Sequence, residues 1–253
     1  MENITLASRE YEFNDVSIDP LEIDEDPSGL LRGGVGSTIW DAAIVLAKYL
    51  ERASDLLAST STTGQQAINV LELGSGTGIV GLAVARMLSA KGMKGSKVVL
   101  TDKENVVPLL QRNVEKNASS GIDIEARVFD WEAVSGIKVN TPADVVADSA
   151  TTTAAAVPGF QDLLALEWDL VILSDAIWVP ALYPPLISTI NAIITPGNKT
   201  QLITAFEKRN FSEEMEFFAM LGKTFRFRDI KPEEQDSNYQ SEDIYLFVCQ
   251  RRI

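Results

Sequence analysis

The most informative absence in this chain is histidine. With none among its 253 residues, the chain can form neither a Ser-His-Asp triad nor a Cys-His pair, and it has no imidazole to bind a metal ion. Cysteine is nearly absent too, because Cys249 is the only one. One cysteine allows no internal disulfide, which fits a reducing compartment such as the cytoplasm or the nucleus. We expect Cys249 to be a small core residue rather than a reactive thiol.

Long apolar runs and basic clusters are also missing. No stretch reaches the roughly 18 apolar residues of a membrane span, and the first residues are acidic where a signal peptide would be basic, so we expect no membrane partner and no leader. The formal net charge of −14 opposes binding to nucleic acid and favours basic or mixed-charge protein partners. The length suffices for one large α/β domain, which we expect to be a monomer.

One stretch, Val-Leu-Glu-Leu-Gly-Ser-Gly-Thr-Gly at residues 70–78, organises the rest of the chain. Its residues Val70, Leu71 and Leu73 suit a strand that is buried on both faces of a parallel sheet. Its glycines permit positive φ angles and close approach of a ligand, and apolar residues at helical spacing follow from residue 79. A glycine turn between strand and helix is the nucleotide-binding arrangement of doubly wound α/β folds. The turn residues that we expect at the ligand are Gly74, Ser75, Gly76, Thr77 and Gly78.

Two acids near this turn indicate which nucleoside it binds. A phosphate-binding loop would end in Gly-Lys-Ser/Thr, and a pyrophosphate would be repelled by nearby carboxylates. Here Glu72 lies just before the first glycine, and Asp102 ends the next apolar run, within the rough interval of about 20 residues for a ribose-binding acid. S-adenosylmethionine suits these acids, because it carries a sulfonium and an ammonium and has no phosphate.

A glycine-rich segment precedes the first predicted helix. Residues 32–41 read Arg-Gly-Gly-Val-Gly-Ser-Thr-Ile-Trp-Asp and lead into a helix over residues 42–50, for which Ser37 or Thr38 is a candidate N-cap. The glycines let the backbone pass close to a ligand, and Trp40 offers a large flat face where the helix begins. The residues alone also fit Trp40 as an ordinary core side chain.

Two more acids follow predicted strands and should meet at the same edge of the sheet. Asp130 and Trp131 come after the strand at residues 122–129, where Asp130 is placed to accept a hydrogen bond from an adenine amino group. Ser174 and Asp175 come after a strongly apolar strand, and we predict Asp175 as a catalytic residue with Ser174 beside the cofactor. The alternatives are a solvated loop carboxylate for Asp130 and a helix cap at Ser174 or Asp175.

The remaining pattern predicts one domain with an N-terminal extension. Residues 1–31 are acidic and alternate apolar with polar side chains, which predicts an arm or a hairpin. The domain then covers residues 32–253, with a variable insertion of low complexity at residues 132–166. Together with later strands at residues 201–206, 225–230 and 243–249, the count is seven strands, of which one at the end is antiparallel.

These segments resemble a known family. Residues 72–78 are similar to the first motif of seven-strand S-adenosylmethionine-dependent methyltransferases, and residues 33–51 to the opening of the protein-lysine methyltransferases of the methyltransferase-like 21 group. Within that group, residues 33–36, 40–46 and 239–244 most resemble the lysine methyltransferases of valosin-containing protein. The resemblance implies a class I methyltransferase fold, which is a Rossmann-like doubly wound seven-stranded sheet with an antiparallel C-terminal strand.

The resemblance also implies roles for the matching residues. It places Asp175 and Trp178 in the acid-x-x-aromatic motif of the methyl-transfer site. Phe206 stands at the start of a segment that resembles Tyr-Glu-x-Arg, and we expect Trp178 and Phe206 to form apolar walls of the methyl-transfer site. The implied function is transfer of a methyl group to a lysine ε-amine of a protein, with an AAA ATPase chaperone as the implied substrate. The residues implied to line S-adenosylmethionine are Trp40, Glu72, Gly74, Gly76, Asp102 and Trp131.

Two positions depart from the family pattern. Trp178 and Phe206 stand where tyrosine is usual, so two hydroxyl groups are missing. Two alternatives therefore stay open: a small-molecule or nucleic-acid methyltransferase with the same cofactor fold, and a non-catalytic cofactor-binding interaction protein. Against a nucleic-acid enzyme, residues 174–177 lack the Asn/Asp-Pro-Pro-Tyr motif of adenine-amino methyltransferases, and the surface charge is wrong for phosphates.

Overall fold

The computed structural model describes residues 6–53, 57, 67–134 and 159–253. The strands formed by these residues are β1 (Ala7–Tyr11), β2 (Leu21–Glu25), β3 (Asn69–Leu73), β4 (Lys97–Asp102), β5 (Asp123–Val128), β6 (Leu170–Ser174), β7 (Gln201–Glu207), β8 (Phe225–Asp229) and β9 (Ile244–Arg251). The α-helices are α1 (Asp41–Arg52), α2 (Ile79–Ala90), α3 (Val107–Lys116), α4 (Phe160–Leu164), α5 (Tyr183–Ile193) and α6 (Phe211–Leu221). None of these helices is long and apolar enough to cross a membrane.

Seven of the described strands form the main sheet, in the order β5-β4-β3-β6-β7-β9-β8. Strands β3 to β7 pair in parallel, whereas β9 is antiparallel to both β7 and β8. The order reverses between β3 and β6, and such a switch point is where open α/β sheets bind ligands at the carboxyl ends of their strands. The predicted doubly wound, seven-stranded fold with one antiparallel strand is confirmed.

The core lies on both faces of this sheet, because alternate residues of each strand point in opposite directions. Val70 and Ile172 pack with α1 and α2 on one face, while Leu71 and Val171 pack with α5 and α6 on the other. Cys249 is fully buried in the second cluster, and burial raises the pKa of its thiol to about 12. It is therefore a core residue, as expected, and not a reactive thiolate.

Strands β1 and β2 form a separate antiparallel pair that contributes to the first core cluster. Asn113 on α3 ties this pair to the glycine turn. Its side-chain nitrogen donates to the carbonyl oxygens of Asp24 at 3.0 Å and Thr77 at 2.9 Å, and its side-chain oxygen accepts from the Asp24 N–H at 2.8 Å. Since Asn113 is fully buried, these bonds fix the turn against the N-terminal strands.

Helix α1 begins at Asp41, and Trp40 occupies its N-cap position without a side-chain cap. The prediction that Ser37 or Thr38 caps this helix was wrong. Residues Gly34–Ser37 form a 3-10 turn of their own and Thr38 is extended, so neither residue occupies the N-cap position of α1. The N-cap backbone of Trp40 accepts the first helical hydrogen bond instead.

Most of the predicted insertion, residues 135–158, lies outside the described residues. Its final part belongs to the fold, because α4 places Phe160 and Leu163 in the core. Phe160 stacks on Phe129, with ring centroids 5.4 Å apart. This contact supports the end of β5, which lies next to the site.

Candidate active site

The glycine turn joins β3 to α2 at the carboxyl edge of the sheet. Gly74 and Gly76 have φ angles of +72° and +54°, in the left-handed region that favours glycine. A Cβ at Gly74 would lie 3.0 Å from the Trp131 ring, and a Cβ at Gly76 would lie 3.2 Å from the Gly36 carbonyl oxygen. The turn is therefore a bare backbone cradle between Trp131 and the segment that precedes α1.

Glu72 lies beneath this turn with 1% of its surface exposed. Its Oε2 accepts a hydrogen bond from the Gly81 N–H at 3.1 Å. Burial raises the pKa of Glu72 from 4.5 to about 8, and the nearby charge of Asp102 adds to this rise, because an ionised carboxylate is poorly solvated there. A buried carboxyl group of this kind gains stability from a cationic group of a ligand.

Asp102 ends β4, beside the end of β3. Its Oδ2 accepts from the Gly76 N–H and its Oδ1 from the Lys103 N–H, both at 2.7 Å. Burial raises the pKa of Asp102 above its usual range. The carboxylate therefore holds the glycine turn in place at the position where a ribose-binding acid is expected.

A cavity of about 490 Å³ opens at this edge of the sheet, within the range of small-molecule sites. Residues 33–36 also line this cavity. Their glycine pattern indicates a close approach of the backbone to a ligand, although they were not among the predicted site residues. Lys103, Phe129 and Leu182 line the cavity as well, and nothing in their sequence context predicted this. The predicted residues that line the cavity are Trp40, Glu72, Gly74, Ser75, Gly76, Thr77, Asp102, Trp131, Ser174, Asp175 and Trp178.

Three predicted residues, Gly78, Asp130 and Phe206, are not among the lining residues in the described part of the chain. Gly78 is the N-cap of α2 and faces the core, since a Cβ there would meet the Leu110 side chain at 2.6 Å. The Asp130 side chain is 40% exposed and accepts a hydrogen bond from the Glu132 N–H at 2.9 Å. This placement matches the alternative of a loop carboxylate.

Phe206 packs into an aromatic cluster away from the cavity. Its ring centroid lies 5.3 Å from that of Phe218, 5.7 Å from Tyr245 and 6.3 Å from Phe247. Neighbouring residues of a strand point to opposite faces, and Phe206 lies on the face of β7 opposite to Ala205. Its placement therefore does not support the predicted role as an apolar wall of the methyl-transfer site.

Asp175 follows β6 with a φ angle of +49°, which is uncommon outside glycine and often marks functional sites. Arg209 donates from Nη1 and Nη2 to the two carboxylate oxygens of Asp175, each at 2.7 Å. The Glu207 N–H donates to Oδ1 at 3.2 Å. The Asp175 side chain is 6% exposed, and α5 begins only at Tyr183, so Asp175 does not cap that helix.

Trp40 lies on the other side of Arg209. The guanidinium carbon is 5.4 Å from the centroid of the indole ring, within the range of a cation–π interaction. The indole Nε1 donates to the Val35 carbonyl at 2.9 Å, and Trp40 is 41% exposed, which excludes a core role. Arg209 was not predicted as a site residue, although it lies in the segment that resembles Tyr-Glu-x-Arg.

Two polar atoms of the cavity lining are buried without a partner. Neither the Trp131 Nε1 nor the Ser174 Oγ has a hydrogen-bond partner among the residues that the structure describes. Buried polar groups are normally paired in native proteins. Together with the bare glycine cradle and the buried Glu72, these atoms fit a ligand that has polar and cationic groups.

The fold and the site define the class of protein. A seven-stranded sheet of this order, with a glycine turn flanked by two acids, is the arrangement of class I methyltransferases, which use S-adenosylmethionine. Residues 17–164 and 159–224 match the sequence model of the Methyltransf_16 family, whose description is lysine methyltransferase. The chain belongs to this family of S-adenosylmethionine-dependent protein-lysine N-methyltransferases.

Several known proteins are similar to this chain. Protein-lysine N-methyltransferase EFM6 of Saccharomyces cerevisiae is 29% identical over 250 residues, which cover 98% of this chain and 92% of that protein. Protein N-lysine methyltransferase METTL21A of Mus musculus is 24% identical over 220 residues, covering 87% and 79%. EEF1A lysine methyltransferase 3 of Xenopus tropicalis is 28% identical over 185 residues, covering 73% and 63%. Among solved structures, an O-methyltransferase family 2 protein of Planctomyces limnophilus has a TM-score of 0.48 at 11% identity, covering 83% of this chain and 57% of that one.

Proposed function

We propose that this chain transfers a methyl group from S-adenosylmethionine to the ε-amine of a lysine on a protein, with Asp175 placed at the amine. The observation that supports this proposal is the position of Asp175. It follows β6 with a positive φ angle and lines the same cavity as Glu72 and Trp40. A carboxylate at that point lies beside the cofactor site without being part of the glycine turn.

In this proposal the glycine turn and Asp102 hold the nucleoside, and Glu72 faces the cationic end of the cofactor. The flat rings of Trp40 and Trp131 supply apolar surface for the adenine. When bound, S-adenosylmethionine supplies a methyl group on a positively charged sulfur, which makes the leaving group intrinsically good. The protein must therefore contribute mainly binding, orientation and removal of a proton from the amine.

The target amine must lose its proton before it can attack. A lysine with a pKa near 10.4 is only about one part in a thousand neutral at pH 7, a deficit of roughly 4 to 5 kcal/mol. Three of the roughly four acceptor positions on Asp175 are occupied by Arg209 and Glu207, which leaves one for the amine. Trp178, which is 49% exposed and lines the cavity, adds an apolar wall that disfavours the charged amine.

We propose a hexameric AAA ATPase of the valosin-containing type as the protein substrate, and the cytoplasm or the nucleus as the compartment. The support is the likeness at residues 33–36, 40–46 and 239–244. In the structure, Tyr239 of the last segment contacts α1, since its ring centroid lies 5.1 Å from the buried Lys48 Nζ. A second candidate substrate is EEF1A, which the name of the Xenopus tropicalis relative contains.

The test is a methylation assay with radiolabelled S-adenosylmethionine, using purified AAA ATPase, purified EEF1A and whole-cell extract as separate substrates. The variant Asp175→Asn keeps the shape of the side chain and removes its charge. The control Asp229→Asn removes an acid from a surface ion pair with Lys231 at 2.6 Å. We expect one labelled protein band that is lost with Asp175→Asn, kept with Asp229→Asn, and mapped to lysine by mass spectrometry.

Three outcomes contradict parts of the proposal. Label on EEF1A alone would replace the substrate and keep the reaction. Label in nucleic acid or small metabolites would favour the other enzyme class. Calorimetric binding of S-adenosylhomocysteine without transfer to any protein would favour a non-catalytic binding protein.

A further inference from the structure

Arg209 connects two residues of the cavity without lining it itself. Its guanidinium donates to both carboxylate oxygens of Asp175 at 2.7 Å and covers the Trp40 ring at 5.4 Å. Asp175 and Trp40 both line the cavity, whereas Arg209 is not among the lining residues in the described part of the chain. The contacts of Arg209 with the described cavity lining are therefore made through these two side chains.

The backbone of Arg209 is also fixed by a hydrogen bond, to a side chain of α6. Glu214 on α6 is buried, and its Oε1 accepts the N–H groups of Arg209 at 2.6 Å and Asn210 at 2.9 Å. The Asn210 side chain in turn accepts the Ser212 N–H at 3.2 Å and caps α6. The start of α6 thus fixes the point from which Arg209 reaches the site.

A second acid completes the cluster. The Nη2 atom of Arg209 donates to Asp175 Oδ2 at 2.7 Å and to Glu207 Oε2 at 2.8 Å. Two carboxylates thus share one guanidinium nitrogen, and without the cation their charges would repel each other. The planar fork of arginine orients a carboxylate through two parallel hydrogen bonds, which the single ammonium of lysine cannot reproduce.

We propose that Arg209 is a positioning residue that couples the acid at the methyl-transfer side, Asp175, to the aromatic face at the cofactor side, Trp40. It sets the plane of the Asp175 carboxylate and leaves one acceptor position free for the amine. It also holds the Trp40 indole over the cofactor cavity. The part that concerns transfer rests on the proposed function, whereas the part that concerns Trp40 does not.

The direct test uses the indole N–H signals of the protein in a proton–nitrogen NMR spectrum. The chain has four tryptophans, so Trp40 is assigned by its loss in Trp40→Phe. We expect Arg209→Gln and Arg209→Lys to move the Trp40 signal in the protein without ligand. The Trp168 signal is the internal reference, because that indole is buried and donates to the Leu163 carbonyl at 2.8 Å.

Binding and turnover provide the second measurement. Loss of the cation over Trp40 should raise the Kd of S-adenosylhomocysteine about 5-fold. Misplacement of Asp175 should lower kcat about 100-fold in Arg209→Gln, with a smaller change in KM for the protein substrate. Arg209→Lys should keep part of the binding and little of the turnover. The matched control is Arg228→Gln, which breaks a surface ion pair with Glu234 at 2.7 Å and should change none of Kd, kcat and KM.

The outcomes separate this proposal from the proposed function. A folded Arg209→Gln protein with an unchanged Trp40 signal and an unchanged Kd would overturn the coupling. If Arg209→Gln does not fold, the same comparison is made with Arg209→Lys, which keeps the charge. Should the wild-type protein methylate no substrate, the proposed function fails, while the NMR and binding results still decide the role of Arg209 at Trp40.

Discussion

Replacing Glu72 with glutamine tests how a buried carboxyl group shapes the stability of this protein. In the folded state burial raises the pKa of Glu72 from 4.5 to about 8, while the unfolded chain keeps the ordinary value. Between these two pH values the folded state holds a proton that the unfolded state has released. The folded protein therefore loses stability as the pH rises through this range, and the full loss is present above about pH 8.

The size of the effect follows from the difference between the two pKa values. Each pH unit corresponds to about 1.4 kcal/mol, which gives an upper value of about 5 kcal/mol for Glu72. This value is an upper bound, because the effective dielectric constant around buried groups in proteins exceeds that of a dry interior, so we expect about 2 to 5 kcal/mol. Glutamine has nearly the same shape and can still accept the Gly81 N–H bond, but it has no charge to bury.

Urea denaturation of both proteins at about pH 5 and about pH 8.5 measures this difference. We expect Glu72→Gln to unfold within about 1 kcal/mol of the wild type at the lower pH and to be about 2 to 5 kcal/mol more stable at the higher pH. A glutamine at the exposed Glu242 is the control and should show no such change. An equal difference between Glu72→Gln and wild type at both pH values would refute the argument.

The same substitution should weaken binding of the cofactor. A hydrogen bond to a charged group contributes about 1.5 to 3 kcal/mol, so we expect a Kd for S-adenosylmethionine that is roughly 10-fold to 100-fold higher. A residue at a functional site is expected to lower the stability of the protein while it raises the affinity for the ligand. Isothermal calorimetry at about pH 8.5, where Glu72 is ionised, provides the measurement.

Three further substitutions test the site and its support. Gly74→Ala should raise the Kd of S-adenosylhomocysteine more than about 10-fold, because the new methyl group meets Trp131 at 3.0 Å with φ at +72°. Trp131→Phe removes the Nε1 donor, which has no partner in the described part of the chain, so we expect about 5-fold weaker binding and a free energy of unfolding within about 1 kcal/mol of wild type. Asn113→Ala leaves buried groups of Asp24 and Thr77 unpaired and should lower the free energy of unfolding by about 3 kcal/mol.

Two of these substitutions, Gly74→Ala and Asn113→Ala, have a matched control. Gly92→Ala introduces the same backbone strain at φ +70°, but its Cβ meets none of the described residues within 4 Å, so it should lower stability without changing cofactor affinity. Gln111 lies on the exposed face of the same helix as Asn113. Gln111→Ala should leave the free energy of unfolding within about 0.5 kcal/mol of the wild type. Equal Kd values for Gly74→Ala and Gly92→Ala would contradict the first prediction. Equal losses of stability for Asn113→Ala and Gln111→Ala would contradict the last.

The strands, the helices and the acids at the glycine turn could be predicted from the sequence because their signals are local. The alternation of apolar residues and the change to helical spacing at Ile79 depend on neighbours only. Glu72 and Asp102 could be placed together because adjacent parallel strands end at one edge of a sheet. The helix cap could not be predicted, since Ser37 lies in a turn of its own.

Contacts between distant segments were decided by the tertiary structure alone. Sequence likeness placed Phe206 at the methyl-transfer site, yet the pleat of β7 and its pairing with β9 turn that ring into the aromatic cluster. Arg209, Asp175 and Trp40 come from three separate segments of the chain, and the fold brings Arg209 between the other two. Residue type and spacing determine which groups reach the sheet edge, whereas strand orientation and packing determine which of them face the cavity and which charges pair.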